Sequence, residues 1–192
     1  MDNVLIIIAL GVVALVIVAV VAYLIGRRRN LQQRFGPEYE RQVERAESRR
    51  EAHAELRQRE ERREELDIRP LTDAARERFI ERWEETQRQF VDAPQSAVER
   101  GDLLIQEVMR ERGYPVEDFE QRAADLSVDH PEVVENYREG RRCADRVADQ
   151  TDDERTEEMR QAMLHFRRLF DVLVHDGADD SRSDQEPAHE SR

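Results

Sequence analysis

The chain has 192 residues, 39% hydrophobic and 39% charged, and its 44 acids against 31 bases leave a net charge of −13. Every base is Arg, so chemistry that needs a lysine is excluded: a Walker-type phosphate loop, a pyridoxal Schiff base, the strand lysine of a kinase. The seven glycines never come closer than ten positions to one another, which excludes a glycine-rich phosphate cradle, and the single Cys143 excludes an internal disulfide or a multi-cysteine metal site.

Residues 4–25 form a run of 22 uncharged residues rich in Val, Ile, Ala and Leu. At ~1.5 Å per residue such a helix spans roughly 33 Å, enough for a hydrocarbon core of about 30 Å. We therefore expect a transmembrane helix over residues 4–26. A cleaved secretory signal, the competing reading, needs a basic start and an apolar stretch of only ~7–15 residues. Here the start is Met1-Asp2-Asn3. Arg27, Arg28, Arg29 and Arg34 follow the run and no Arg precedes it, so the positive-inside rule places the N-terminus outside and the remainder in the cytoplasm. These four arginines set topology and are the candidate lipid contacts, each worth about 1 kcal/mol near anionic headgroups. Ala22 and Gly26 make one small-xxx-small pair, a weak signal for helix dimerisation.

Phe35-Gly36-Pro37 breaks the chain, with Pro37 suited to a first helical position. Residues 27–69 read as a juxtamembrane stalk dominated by Glu and Arg. A heptad seam begins at Tyr39, Val43 and Ala46 but then meets Arg50, His53, Arg57 and Glu60, so it falls short of a sustained coiled coil. Pairs such as Glu55 and Arg59 favour one solvated helix over residues 38–66, about 43 Å long, with a weak dimeric coil as the alternative.

Arg69-Pro70 marks the next boundary, because the residue before proline is pushed out of helical geometry. Apolar residues then recur at helical spacing. Residues 71–91 offer Leu71, Ala75, Phe79, Trp83 and Phe90. Residues 94–112 offer Ala97, Leu104, Ile105, Val108 and Met109, closed by Gly113. A short helix near 116–126 carries Phe119, Ala123 and Leu126. Asp129-His130-Pro131-Glu132 reads as the start of a helix to about 149, and Thr151 with Glu154 as the capping box of the last one. The fold class is all-α: a transmembrane helix, a charged helical stalk and a five-helix bundle over residues 70–175. Residues 176–192 carry six acids, two arginines and no large apolar residue, a composition that predicts disorder.

Little in the sequence points to catalysis. The five histidines include no His-x-x-x-His pair, and the only Glu-x-x-His, Glu186 with His189, lies in the tail, so a di-iron bundle is disfavoured. His165 and Cys143 read as packed helix residues. Ser127, Asp129 and His130 are close in sequence, but a triad depends on spatial geometry, and helix capping explains them more simply. We expect no catalytic, cofactor or metal site. Residues 101–175 carry a net −8, which repels nucleic acid and suits a basic protein segment.

Several strings carry a resemblance: Phe35-Gly36-Pro37-Glu38-Tyr39, Leu66-Asp67-Ile68-Arg69-Pro70-Leu71, Phe90-Val91-Asp92-Ala93-Pro94, Arg112-Gly113-Tyr114-Pro115-Val116, and the run from Phe119 to Pro131. Over roughly residues 1–175 the chain resembles an uncharacterised bacterial family of single-pass membrane proteins, some of whose members are labelled secreted. The resemblance implies an N-terminal span and a helical region, and no activity or site residue. The function expected is that of a non-enzymatic, membrane-anchored cytoplasmic adaptor or scaffold that binds another protein. Its candidate partner surface is the turn around Tyr114, Pro115, Phe119, Asp129 and His130, since loops carry recognition more often than cores. The alternatives are an enzyme with a dispersed acidic and His site in the bundle, and an extracytoplasmic helical domain.

Overall fold

The computed structural model describes residues 15, 29–146 and 151–177, and all regular structure among them is helical. The expected span falls outside the described residues except for Leu15, which is helical and exposed. Among the described residues no helix is long and apolar enough to cross a membrane. Arg27 and Arg28 also lie outside them, whereas Arg29 and Arg34 sit exposed on the helical residues 29–35.

Seven helices follow: α1 (Pro37–Arg45), α2 (Arg49–Glu64), α3 (Asp73–Gln89), α4 (Pro94–Arg112), α5 (Phe119–Asp129), α6 (Pro131–Asp145) and α7 (Asp152–His175). They divide into two compact units, one ending at Gln58 and the other running from Arg59.

In the first unit the stalk is not one helix. Gly36, at a φ of +45° that favours glycine, precedes α1, and Ala46 leaves helical geometry with ψ 148°. The break has a local cause. The Ser48 hydroxyl accepts from the Glu51 backbone N–H (3.2 Å), and the Glu51 carboxylate accepts from the Glu47 N–H (3.0 Å), so Ser48-x-x-Glu51 starts a new helix. Tyr39 on α1 then meets His53 on α2, phenol oxygen to Nε2 at 2.9 Å. Leu31, Phe35, Tyr39, Ala52 and Leu56 are all buried, which a lone solvated helix could not achieve.

The second unit begins in α2 rather than at residue 70, and it extends through Gly177. Each helix start has a chemical reason. Thr72 caps α3 by accepting from the Ala75 N–H (3.2 Å), and Asp118 caps α5 by accepting from Gln121 (2.9 Å). Pro94 and Pro131 open α4 and α6. The Glu154 carboxylate accepts from both the N–H and the hydroxyl of Thr151 at the head of α7. Gly113 closes α4 at φ +99°, and a Cβ there would stand 2.3 Å from the Asp67 carbonyl oxygen. Only glycine admits the extended segment whose Arg69 N–H pairs with the Arg112 carbonyl (2.9 Å).

The long α7 packs against α6, α4 and α3. Its Phe166, Leu169, Phe170 and Leu173 are buried with Phe79, Trp83, Ile105, Val108 and Tyr137, and Trp83 stacks on Phe170 at 4.5 Å. Each such side chain contributes about 1.5–3 kcal/mol through burial.

Candidate docking groove

Of the five residues expected to form a partner surface, Tyr114 and His130 are buried in an internal joint, and Pro115, Phe119 and Asp129 are half-buried. Tyr114 is 3% exposed and His130 5%. The Tyr114 hydroxyl donates to Asp129 Oδ2 at 2.7 Å, and the Arg63 guanidinium binds the same oxygen. Burial and the neighbouring Asp129 carboxylate push the Tyr114 phenol well above its ordinary pKa. Phe119 is half-buried against the Tyr137 ring (4.9 Å), with Arg122 and Arg141 over its face, and Pro115 is half-buried. Asp129 is the last residue of α5 rather than the cap of α6; its carboxylate is committed to Tyr114 and Arg63.

Reading the Arg-rich end of α2 as solvated missed its role. Arg59, Arg62 and Arg63 lie on one face at i, i+3 and i+4. They engage Ser127 Oγ (3.2 Å), Asp125 Oδ1 (3.1 Å) and Asp129 in turn, so this arginine row grips α5. Ser127 donates to the Ala124 carbonyl (2.6 Å) and accepts from Arg59, and neither bond involves His130.

A second joint ties the end of α7 to α4. Arg112 is 3% exposed; its Nη1 donates to the Leu173 carbonyl (3.0 Å), its Nε to the Arg69 carbonyl (3.3 Å), and its Nη2 to Asp176. Arg76 Nε caps the neighbouring Val174 carbonyl (3.1 Å). Two cations thus satisfy carbonyls at the negative end of the helix dipole. His130 Nε2 lies 3.5 Å from the same Asp176 carboxylate. Burial holds the imidazole below its ordinary 6.5, outweighing the pull of Asp176. A base with a lowered native pKa stabilises the fold above its unfolded value and loses that contribution as pH falls. Chemical denaturation at several pH values is therefore expected to show stability falling from pH 6.5 downward, and His130→Gln to flatten that part of the curve.

The remaining chemistry-bearing residues are occupied. Cys143 is buried, and burial pushes its thiol up to about 11, which leaves little thiolate. His165 Nδ1 meets Asn136 Oδ1 at 3.1 Å. Among the described residues no group of three or more His, Cys, Asp and Glu converges to hold a metal.

The α3–α4 face is different. Arg82 and Glu107 form a two-pronged ion pair across it, which holds the Glu107 carboxyl below the usual range. On one side lies an open groove of about 430 Å³ lined by Arg69, Arg78, Arg82 and Arg110 with Glu107, Glu111 and Phe79. Phe79 is buried under the guanidinium groups of Arg78 and Arg82, at 5.2 and 5.8 Å from its ring centre. On the other side a groove of about 300 Å³ runs along Thr86, Arg100 and Leu103, and Leu103 is 56% exposed.

Arg69, Arg78 and Arg110 are exposed and make no ion pair with any described carboxylate; Arg78 and Arg110 act on Glu107 only through space. Four guanidinium groups against two carboxylates make this groove locally cationic in a chain of net −13. Comparison with family models, curated proteins and solved structures finds no match. The groove's chemistry therefore carries the functional reading. Arginine forks favour carboxylates, and stacked guanidinium groups leave a flat, weakly hydrated surface for a partner's side chains. Sequence reasoning missed the groove because its four arginines come from the 69–70 boundary, α3 and α4. Arg78 and Arg82, one helical turn apart, were the only local hint.

Proposed function

We propose that the chain is a membrane-anchored adaptor whose helical unit docks an acidic segment of another protein in the Arg69–Arg78–Arg110 groove. Residues 4–26 are the anchor and the following arginines hold the described units on the cytoplasmic side. A reporter fused after residue 177 tests that orientation. The single observation that carries the docking reading is the set of three exposed guanidinium groups lacking a carboxylate partner among the described residues. A basic partner, expected from summed charge, suits the acidic faces elsewhere; this groove favours the opposite sign. The exposed Leu103 adds an apolar contact beyond the Arg82–Glu107 pair.

The test is a titration of a fluorescent acidic peptide of alternating Glu and Leu against the full chain in lipid nanodiscs. Saturable binding that weakens steeply with salt is expected, and Arg78→Glu with Arg110→Glu is expected to lower affinity roughly tenfold or more. Arg160→Glu, on an exposed α7 position paired among the described residues only to its helix neighbour Glu157, serves as the control. Equal losses from both variants would overturn the reading.

A further inference from the structure

The end of the described chain leads toward the same groove. Asp176 is held by the buried Arg112, whose Nε also binds the carbonyl of the groove residue Arg69. At Gly177, φ +75°, a Cβ would stand 2.9 Å from Pro70 Cβ, and Pro70 adjoins Arg69. The described chain therefore ends at Gly177 beside Pro70, the neighbour in sequence of the groove's Arg69. Residues 178–192 carry five acids, Asp179, Asp180, Asp184, Glu186 and Glu190, against two arginines. Fifteen residues reach up to about 50 Å when extended, at ~3.3 Å each, so distance sets no obstacle.

We infer that residues 178–192 of the same chain occupy the Arg69–Arg78–Arg110 groove and compete there with the partner's acidic segment. The inference rests on the docking reading above and adds its regulation. Asp179 and Asp180 follow the Asp176 that Arg112 holds by three and four residues, so they are the first acids of the segment within reach of the groove. Both bonds, to the chain's own acids and to a partner's, use the same guanidinium forks, so one excludes the other. Binding within one chain has the advantage of high effective concentration; a partner must bring more contacts, such as an apolar residue on Leu103, to displace it.

The absence of lysine supplies a clean test. Arg78→Lys introduces the only side-chain amine of the protein, and a zero-length carbodiimide then joins it to whichever carboxylate forms an ion pair with it. In the full chain in nanodiscs, mass spectrometry is expected to find position 78 coupled to Asp179, Asp180, Asp184 or Glu186. The coupling should fall at least tenfold in about 1 M salt, where the screening length is about 3 Å. It should fall similarly when Arg69→Glu and Arg110→Glu are added. Coupling only to acids of residues 29–176, or no coupling, would overturn the inference. Mixing isotope-labelled and unlabelled protein identifies the remaining case: tail coupling found only between copies means a second chain is the occupant and also overturns it. Acidic-peptide binding that persists while tail coupling is absent defeats this inference and spares the docking reading. Loss of groove-specific peptide binding in a chain deleted of residues 178–192 defeats the docking reading itself.

Discussion

Replacing Arg112 by Leu is expected to destabilise the second unit by about 3 kcal/mol, more than any exposed charge change. The side chain is 4% exposed and spends its donors on the Leu173 and Arg69 carbonyls and the Asp176 carboxylate. Leucine fills similar space but leaves two carbonyls at the end of α7 and the 69–70 boundary without their donor, a cost set by desolvation rather than by the ion pair. Asp176 itself is 43% exposed, so Asp176→Ala is expected to cost less than 1 kcal/mol. Urea unfolding followed by the single Trp83, stacked on Phe170 in the core, measures both. Equal losses from the two variants would show that the ion pair, not the carbonyl contacts, matters.

The second large effect reverses a helix-propensity rule. Gly→Ala inside a helix ordinarily stabilises by about 0.5–1 kcal/mol. At Gly140 on α6 an added Cβ would lie 2.6 Å from both Cδ1 and Cε1 of Phe166, which is fully buried. The ring's other edge faces Gly101 on α4, where an added Cβ would sit 3.7 Å away, and Tyr137 stands 6.2 Å off, so relieving the overlap means shifting a ring packed inside the core. Gly140→Ala is expected to destabilise by about 1–3 kcal/mol despite better propensity. Gly101→Ala, whose nearest contacts are 3.3–3.7 Å, is expected to lie within about 1 kcal/mol of neutral. If Gly140→Ala raised the unfolding midpoint, the close approach of α6 and α7 would be wrong.

Where a structural choice is made by neighbours in sequence, the chain announces it. Pro94, Gly113, Pro131 and the Thr151–Glu154 box end or begin helices at their expected places, and Phe79, Trp83, Ile105 and Phe166 enter the core from helical spacing alone. The break at Ser48-x-x-Glu51 carries the same kind of signal, but the surrounding Glu and Arg favour helix on either side and mask it. What local pattern could not reveal is the destination of charged and polar groups. An arginine row at i, i+3, i+4 is identical in sequence whether it faces water or, like Arg59, Arg62 and Arg63, the acids of α5. Tyr114 and His130 looked like recognition residues because they lie in a turn, yet partners supplied from 15 and 46 positions away bury them. The docking groove is likewise tertiary: no stretch of the chain holds its arginines together.

The most direct measurement follows the arginine Nε–Hε resonances of the full chain by NMR while the acidic peptide is added. The docking account predicts salt-sensitive shifts of Arg69, Arg78 and Arg110, with the buried Arg112 and Arg122 unmoved. Shifts spread over arginines of every face, or confined to those outside the α3–α4 groove, would contradict it.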